Sequence, residues 1–148
     1  MNHIRKLIFA MCLFLYAIPN IANSADYTPF RLLTSIGLKL SAPTNQVIRS
    51  QAQWLNLAKR NKTTLPVVDF SKHQVVVIAT GARPSSGYSI VVSGIYKGTD
   101  YLDVNGYFMK PGFMCAALTV ITYPTTFILM PKIQKPVRFH LRNAAYEC

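Results

Sequence analysis

A chain of 148 residues, 51% of them apolar, is long enough to bury a core and short enough that one domain accounts for it. Its net charge of +11 invites a nucleic-acid reading, but the basic residues are scattered. The densest cluster is Lys59-Arg60-Asn-Lys62, no aromatic-and-basic module is present, and charge alone supports only nonspecific attraction, so no specific nucleic-acid binding is expected.

The chain begins with a short basic stretch, Arg5-Lys6, followed by an apolar run from Leu7 to Ile18 and then Pro19. Ala22 and Ser24 are small residues at the two positions a signal peptidase reads, which predicts a signal peptide over residues 1–24 with cleavage before Ala25. The run falls short of the roughly 20 apolar residues that a membrane-spanning helix needs. The expected product is exported, to the periplasm or beyond the cell, with no transmembrane segment in the mature chain. Removing residues 1–24 leaves 124 residues (148 − 24) and 14 basic against 5 acidic residues, a net charge of +9.

Residues 25–45 read as a lead-in with Pro and Thr breaks and one weak strand around Leu32–Leu40. A single domain is expected over 46–148. One helix is well signalled. Ser50 suits the N-cap and Gln53 completes a capping box. Trp54, Leu55 and Ala58 share a face, with Leu57 near its edge. Lys59 and Arg60 suit the C-terminal end of the helix dipole, and Asn61 suits a left-handed stop. A helix of about ten residues is marginal alone, so it must dock through Trp54.

After Pro66 the pattern turns to strands. Val67–Phe70 is a short candidate. Gln74–Ala79 is continuously apolar and β-branched, as expected of a central strand buried on both faces. Tyr88–Ile95, Tyr101–Phe108, Cys115–Tyr123, Thr125–Met130 and Val137–Arg142 follow, separated by Gly- and Pro-containing turns. Short strands with tight turns point to antiparallel pairing. The expected fold is α+β: one short N-terminal helix packed on a curved antiparallel sheet of about six or seven strands.

Cleavage would leave two cysteines, Cys115 and Cys148. An even pair in an oxidising compartment is expected to bridge, pinning the last residue of the chain. These cysteines, with His73 and His140, show no close pair at metal-ligand spacing. No metal or other cofactor is expected.

The conspicuous loop is Arg83-Pro84-Ser85-Ser86-Gly87-Tyr88, bracketed by Gly81 and Ser89-Ile90. Glycines and a proline preorganise it, and its hydroxyls and arginine offer donors to a partner at low entropic cost. Its serines could equally satisfy their own backbone. An enzyme is not expected. Asp69, His73 and Ser85, Ser86 or Ser89 invite a triad, but the second glycine of a nucleophile elbow is missing. In extended chain Asp69 and His73 would stand about 13 Å apart.

The run Asp69-Phe-Ser-Lys, the strand Val75–Ile78, the motif Gly81-x-Arg-Pro-Ser-Ser-Gly-Tyr-Ser-Ile90 and the later Cys115-Ala-Ala-Leu-Thr…Tyr-Pro124…Phe127…Met-Pro-Lys132 resemble the C-terminal domain of the PrcB family. The likeness covers roughly Val67–Arg142. That family is named for an accessory subunit of an exported protease complex, thought to stabilise the protease. The resemblance implies an exported, non-enzymatic protein-binding module, with a protease or envelope complex as partner and the Arg83–Tyr88 loop as contact. Arg and Tyr are the residue types that dominate hot spots. Pro84-Ser-Ser-Gly-Tyr88 also resembles the Pro-Thr-Thr-Gly-Tyr/Phe loop of chagasin-like inhibitors. That implies, as an alternative, inhibition of a cysteine protease through the same loop. The partner's identity and the oligomeric state are not legible.

Overall fold

The computed structural model describes residues 26–34 and 36–148. The expected signal peptide, residues 1–24, lies outside the described residues. In chain order the elements are β1 (Asp26–Tyr27), β2 (Arg31–Leu32), β3 (Pro43–Ile48), α1 (Gln51–Arg60), β4 (His73–Thr80), β5 (Ser89–Lys97), β6 (Leu102–Pro111), β7 (Thr125–Pro131) and β8 (Val137–Tyr146). The α+β expectation holds at the level of one helix on β structure. The single curved sheet of six or seven strands does not: eight strands form two four-stranded sheets, ordered β1-β5-β6-β8 and β2-β7-β4-β3.

The second of these is the inner sheet, because both of its faces are covered. On β4 and β7 alternate residues feed two different cores. Val75, Val77, Phe127 and Leu129 face α1, while Val76, Ile78, Ile128 and Met130 face the other sheet. This is why Gln74–Ala79 is apolar without alternation: a strand covered on both sides has no water-facing positions. The outer sheet is covered on one side only. Ile95, Leu102 and Val104 point inward, and Asp103, Asn105, Arg138 and His140 occupy the alternating outward positions of β6 and β8.

Pairing is antiparallel except between β6 and β8, which run parallel from Leu102↔Val137 to Pro111↔Tyr146. The expectation of antiparallel pairing throughout fails there. The chain leaves β6, crosses to the inner sheet as β7 and returns as β8. Two sheet changes bring β8 back beside β6 in the same direction, so a strand serves where a helix usually makes the crossover.

The helix forms as signalled. Ser50 Oγ accepts from Gln53 N at 3.3 Å, and Gln53 Oε1 accepts from Arg49 N at 2.8 Å. Trp54 is buried, edge-on to Phe70 and Phe127 at 6.2 and 6.0 Å, and its Nε1 donates to Pro66 O at 2.9 Å. The docking face is narrower than expected: Leu57 is buried with Trp54, and Leu55 is 57% exposed. Asn61 is not left-handed (φ −103°). Lys62 takes that position at φ 49°.

Two expected strands are absent and a third is cut short. Val67–Phe70 is irregular and ends in a turn, because Asp69 caps it. Asp69 Oδ1 accepts from Ser71 N and Ser71 Oγ, and its carbonyl accepts from His73 N at 2.9 Å. The Ser71 hydroxyl and amide hold the Asp69 carboxyl below the ordinary carboxylate range. Around Leu32–Leu40 the strand is confined to Arg31–Leu32; residues 33–34 and 36–40 are irregular, with Leu38 buried over α1's core. Cys115–Tyr123 is a loop. The expected lead-in instead supplies β1, β2 and the start of β3 to the sheets.

Among the described residues no helix is long and apolar enough to cross a membrane.

Candidate functional site

At one end of the sandwich three segments meet: the 81–88 turn between β4 and β5, the 112–124 crossover from β6 to β7, and the C-terminal residues after β8. Gly81 and Gly87 have φ of 76° and 89°, a region that side-chain-bearing residues avoid. A Cβ on Gly81 would lie 2.9 Å from Pro43 Cδ and from Ser41 O, and one on Gly87 would lie 2.6 Å from the Tyr146 hydroxyl. These glycines let the turn press against its neighbours.

The turn is knitted to the crossover. Arg83 and Thr122 exchange backbone hydrogen bonds at 2.8 and 2.9 Å. Thr122 Oγ1 donates to Ser85 O at 2.8 Å, Ser86 N donates to Leu118 O at 2.9 Å, and Leu118 N donates to Ser86 Oγ at 2.9 Å. Ser86, read from sequence as a donor for a partner, thus serves as an internal acceptor. Pro84 and Gly87 are exposed. Arg83 and Tyr88 are half-buried, with the guanidinium 5.7 Å from the Tyr88 ring centre. They flank a cleft of about 280 Å³ whose lining is completed by Thr80, Phe108, Met109, Lys110 and Asn143.

The crossover is held from its other side by a disulfide between Cys115 and Cys148, with Cα atoms 5.2 Å apart. Gly112 N donates to Tyr146 O at 2.9 Å, so β8 and the crossover are fastened twice. Yet its side chains point outward. Phe113 is 100% exposed, Met114 78%, Leu118 73% and Ile121 64%, and Val120 is also exposed. A tethered backbone with this many apolar side chains in water is a candidate interaction surface. Sequence reasoning missed it, because an apolar run reads as a buried strand whether its cover is the protein's own core or a partner.

The triad candidates stay apart. His73 opens β4, whereas Ser85 and Ser86 follow its other end, roughly 23 Å away by strand rise. Asp69 and His73 are joined by a turn rather than spread along an extended chain, but the contact is backbone to backbone and the Asp69 carboxylate is occupied by Ser71.

A second polar constellation lies on the open face of the outer sheet. Arg138 donates from Nε and Nη2 to Asp103 Oδ1 and Oδ2 at 2.7 and 2.9 Å, and His140 Nε2 lies 2.9 Å from Oδ1. The register Asp103↔Arg138 puts the pair side by side. The Arg138 hydrogen bond, helped by His140 and opposed by partial burial, holds the Asp103 carboxyl below its ordinary range. Arg138 also lies 4.2 Å over the Tyr101 ring. This cluster is satisfied internally. Among the described residues no group of three or more His, Cys, Asp and Glu could hold a metal.

Residues 74–131, from β4 through β7, match the family model described as PrcB C-terminal, the family the motifs resemble. The match contains the 81–88 turn and the whole crossover, and stops short of β8 and Cys148. No curated protein and no solved structure matches the chain.

Proposed function

From a chain that carries a PrcB C-terminal domain, we propose an exported, non-enzymatic protein-binding module, an accessory or stabilising partner of an exported protease or envelope complex. The observation that carries the reading is the crossover: a disulfide-fastened loop that exposes Phe113, Met114, Leu118, Val120 and Ile121 beside the Arg83–Tyr88 turn. A preorganised loop loses little conformational freedom on binding, and its large apolar side chains supply the area that a partner would desolvate. Arg83 and Tyr88 stand at the edge of this surface, and the backbone between them is held by the crossover. The alternative of a cysteine-protease inhibitor asks the turn alone to enter a protease's cleft. The turn's hydrogen bonds to Leu118 and Thr122 favour the wider surface.

The test is affinity capture of the tagged exported chain from its own envelope fraction, read by mass spectrometry, with Phe113→Ser/Leu118→Ser beside wild type. Recovery of an exported protease or a subunit of its complex with wild type, at least tenfold depleted with the variant, is the expected result. The same proteins recovered with both would overturn it. Assay of a papain-type protease with excess protein then separates accessory from inhibitor, since only an inhibitor lowers its activity.

A further inference from the structure

We infer that the cleft beside Arg83 binds a carboxylate, with the Arg83 guanidinium as its reader. The inference rests on the protein-binding reading for the carboxylate's owner, a partner chain.

Two other arginines of this fold have their Nε and Nη2 groups engaged. Arg49 donates from Nε to Gln74 Oε1 at 3.0 Å and from Nη2 to Lys135 O at 2.7 Å. Arg138 grips both oxygens of Asp103. Arg83 differs. Its Nε is buried and has no acceptor among the described residues. A buried donor left unmatched is uncommon in native structures, and because Arg83 is only half-buried and lines the cleft, its other N–H groups are the ones a ligand there can reach.

The surroundings define what would match it. The Tyr88 ring covers the guanidinium at 5.7 Å, leaving the in-plane N–H edge as the part that can donate. Lys110 supplies a second cation to the same cleft. The chain has only five acidic residues, Asp26, Asp69, Asp100, Asp103 and Glu147, and none lines it. The Arg83 backbone is clamped to Thr122 in both directions, so the stem that carries the donor is placed before any ligand arrives. The planar fork of an arginine fits two coplanar oxygens, and a nearby ammonium adds a point charge. Phe108 and Tyr88 offer apolar wall to the group that bears the carboxylate. A volume of about 280 Å³ admits the end of a peptide or one acidic side chain rather than a long segment.

Arginine Nε–H groups give their own nitrogen–proton resonances, so the reader can be watched directly. The ¹⁵N-labelled exported chain is titrated with acetyl-Phe-Ala, with its C-terminal amide, and with acetyl-glutamate amide; Arg83→Lys identifies the Arg83 signal by its loss. Titration runs to about 10 mM, above the millimolar Kd that one charge-assisted pair gives. The Arg83 Nε–H signal is expected to move downfield with at least one of the two acids. The signals of Arg49 and Arg138, and the response to the amide, stay flat. A response to acetyl-Phe-Ala assigns a chain terminus, and one to acetyl-glutamate amide an acidic side chain. Lys110→Gln, which leaves Arg83 in place, should weaken the response about fivefold. Two outcomes overturn the inference: no movement with either acid, or equal movement of all three arginines or with sodium chloride alone. Because the probes are small molecules, a failed titration leaves the capture experiment standing. A failed capture with a successful titration removes the partner and keeps the site.

Discussion

The 81–88 turn and the 112–124 crossover lie against each other and share their hydrogen bonds, but they carry opposite loads. The turn holds the residues that stand out in the sequence: two positive-φ glycines, a proline, serines and an arginine. Most of that chemistry is spent inward, on Thr122, Leu118 and Tyr88. The crossover reads as an ordinary apolar segment and spends its chemistry outward, on exposed side chains. A motif can be distinctive because a fold needs it, while the exposed apolar surface lies in the segment the motif supports.

This division of labour can be broken most severely at the disulfide. Replacing Cys115 and Cys148 by Ser frees a loop closed over a sequence separation of 33, which the chain-entropy relation makes worth about 3–4 kcal/mol. Denaturant unfolding should show a loss of that size. Hydrogen exchange should speed first in 112–124, with β4 and β7 still protected. Uniform deprotection would mean that the crossover is no separate unit.

Gly81→Val attacks the turn. Positive φ costs a β-branched residue about 1–2 kcal/mol, and the added Cβ would sit within 2.9 Å of Pro43 and Ser41, so a total loss of about 2–3 kcal/mol is expected. A change under about 0.5 kcal/mol would show that the turn is not part of the scaffold. Thr122→Val is milder. It keeps the shape and deletes the hydroxyl that donates to Ser85 O, for an expected loss of about 1 kcal/mol.

How much of this was legible follows the same line. The core strands announced themselves, because Val75–Ile78 and Phe127–Met130 are covered on both faces and need no polar position. The helix was legible from Ser50, Gln53 and Trp54. The partition into two sheets was not, since it depends on which strands the chain crosses between, and a crossover through β7 leaves no local mark. β3 escaped because Pro43-Thr-Asn-Gln is polar and opens with proline, as an edge strand can. Val67–Phe70 misled because it is rich in β-branched and aromatic residues, yet Asp69 turns the chain through Ser71. At the site, Arg83 and the disulfide were legible as residues. The direction in which Leu118 and Ile121 face was not, because hydrophobicity records that a side chain will be covered and is silent on what covers it.

The smallest expected effect is the most discriminating. Phe113→Ser and Leu118→Ser, singly and together, should leave stability within about 0.5 kcal/mol of wild type, although each removes a large apolar side chain. Such a removal from a core costs several times more, because it forfeits buried area and leaves a cavity. At 100% and 73% exposure there is little area to forfeit and no cavity to make. The backbone of the crossover is held by Thr122, Gly112 and Cys115, none of which changes. Denaturant midpoints with unaltered slopes are the measurement. If either variant loses more than about 1 kcal/mol, its side chain is packed against the fold and the crossover is scaffold like the turn. If both are neutral, these apolar side chains contribute nothing to the isolated chain. The capture experiment then tests whether they contribute in a complex.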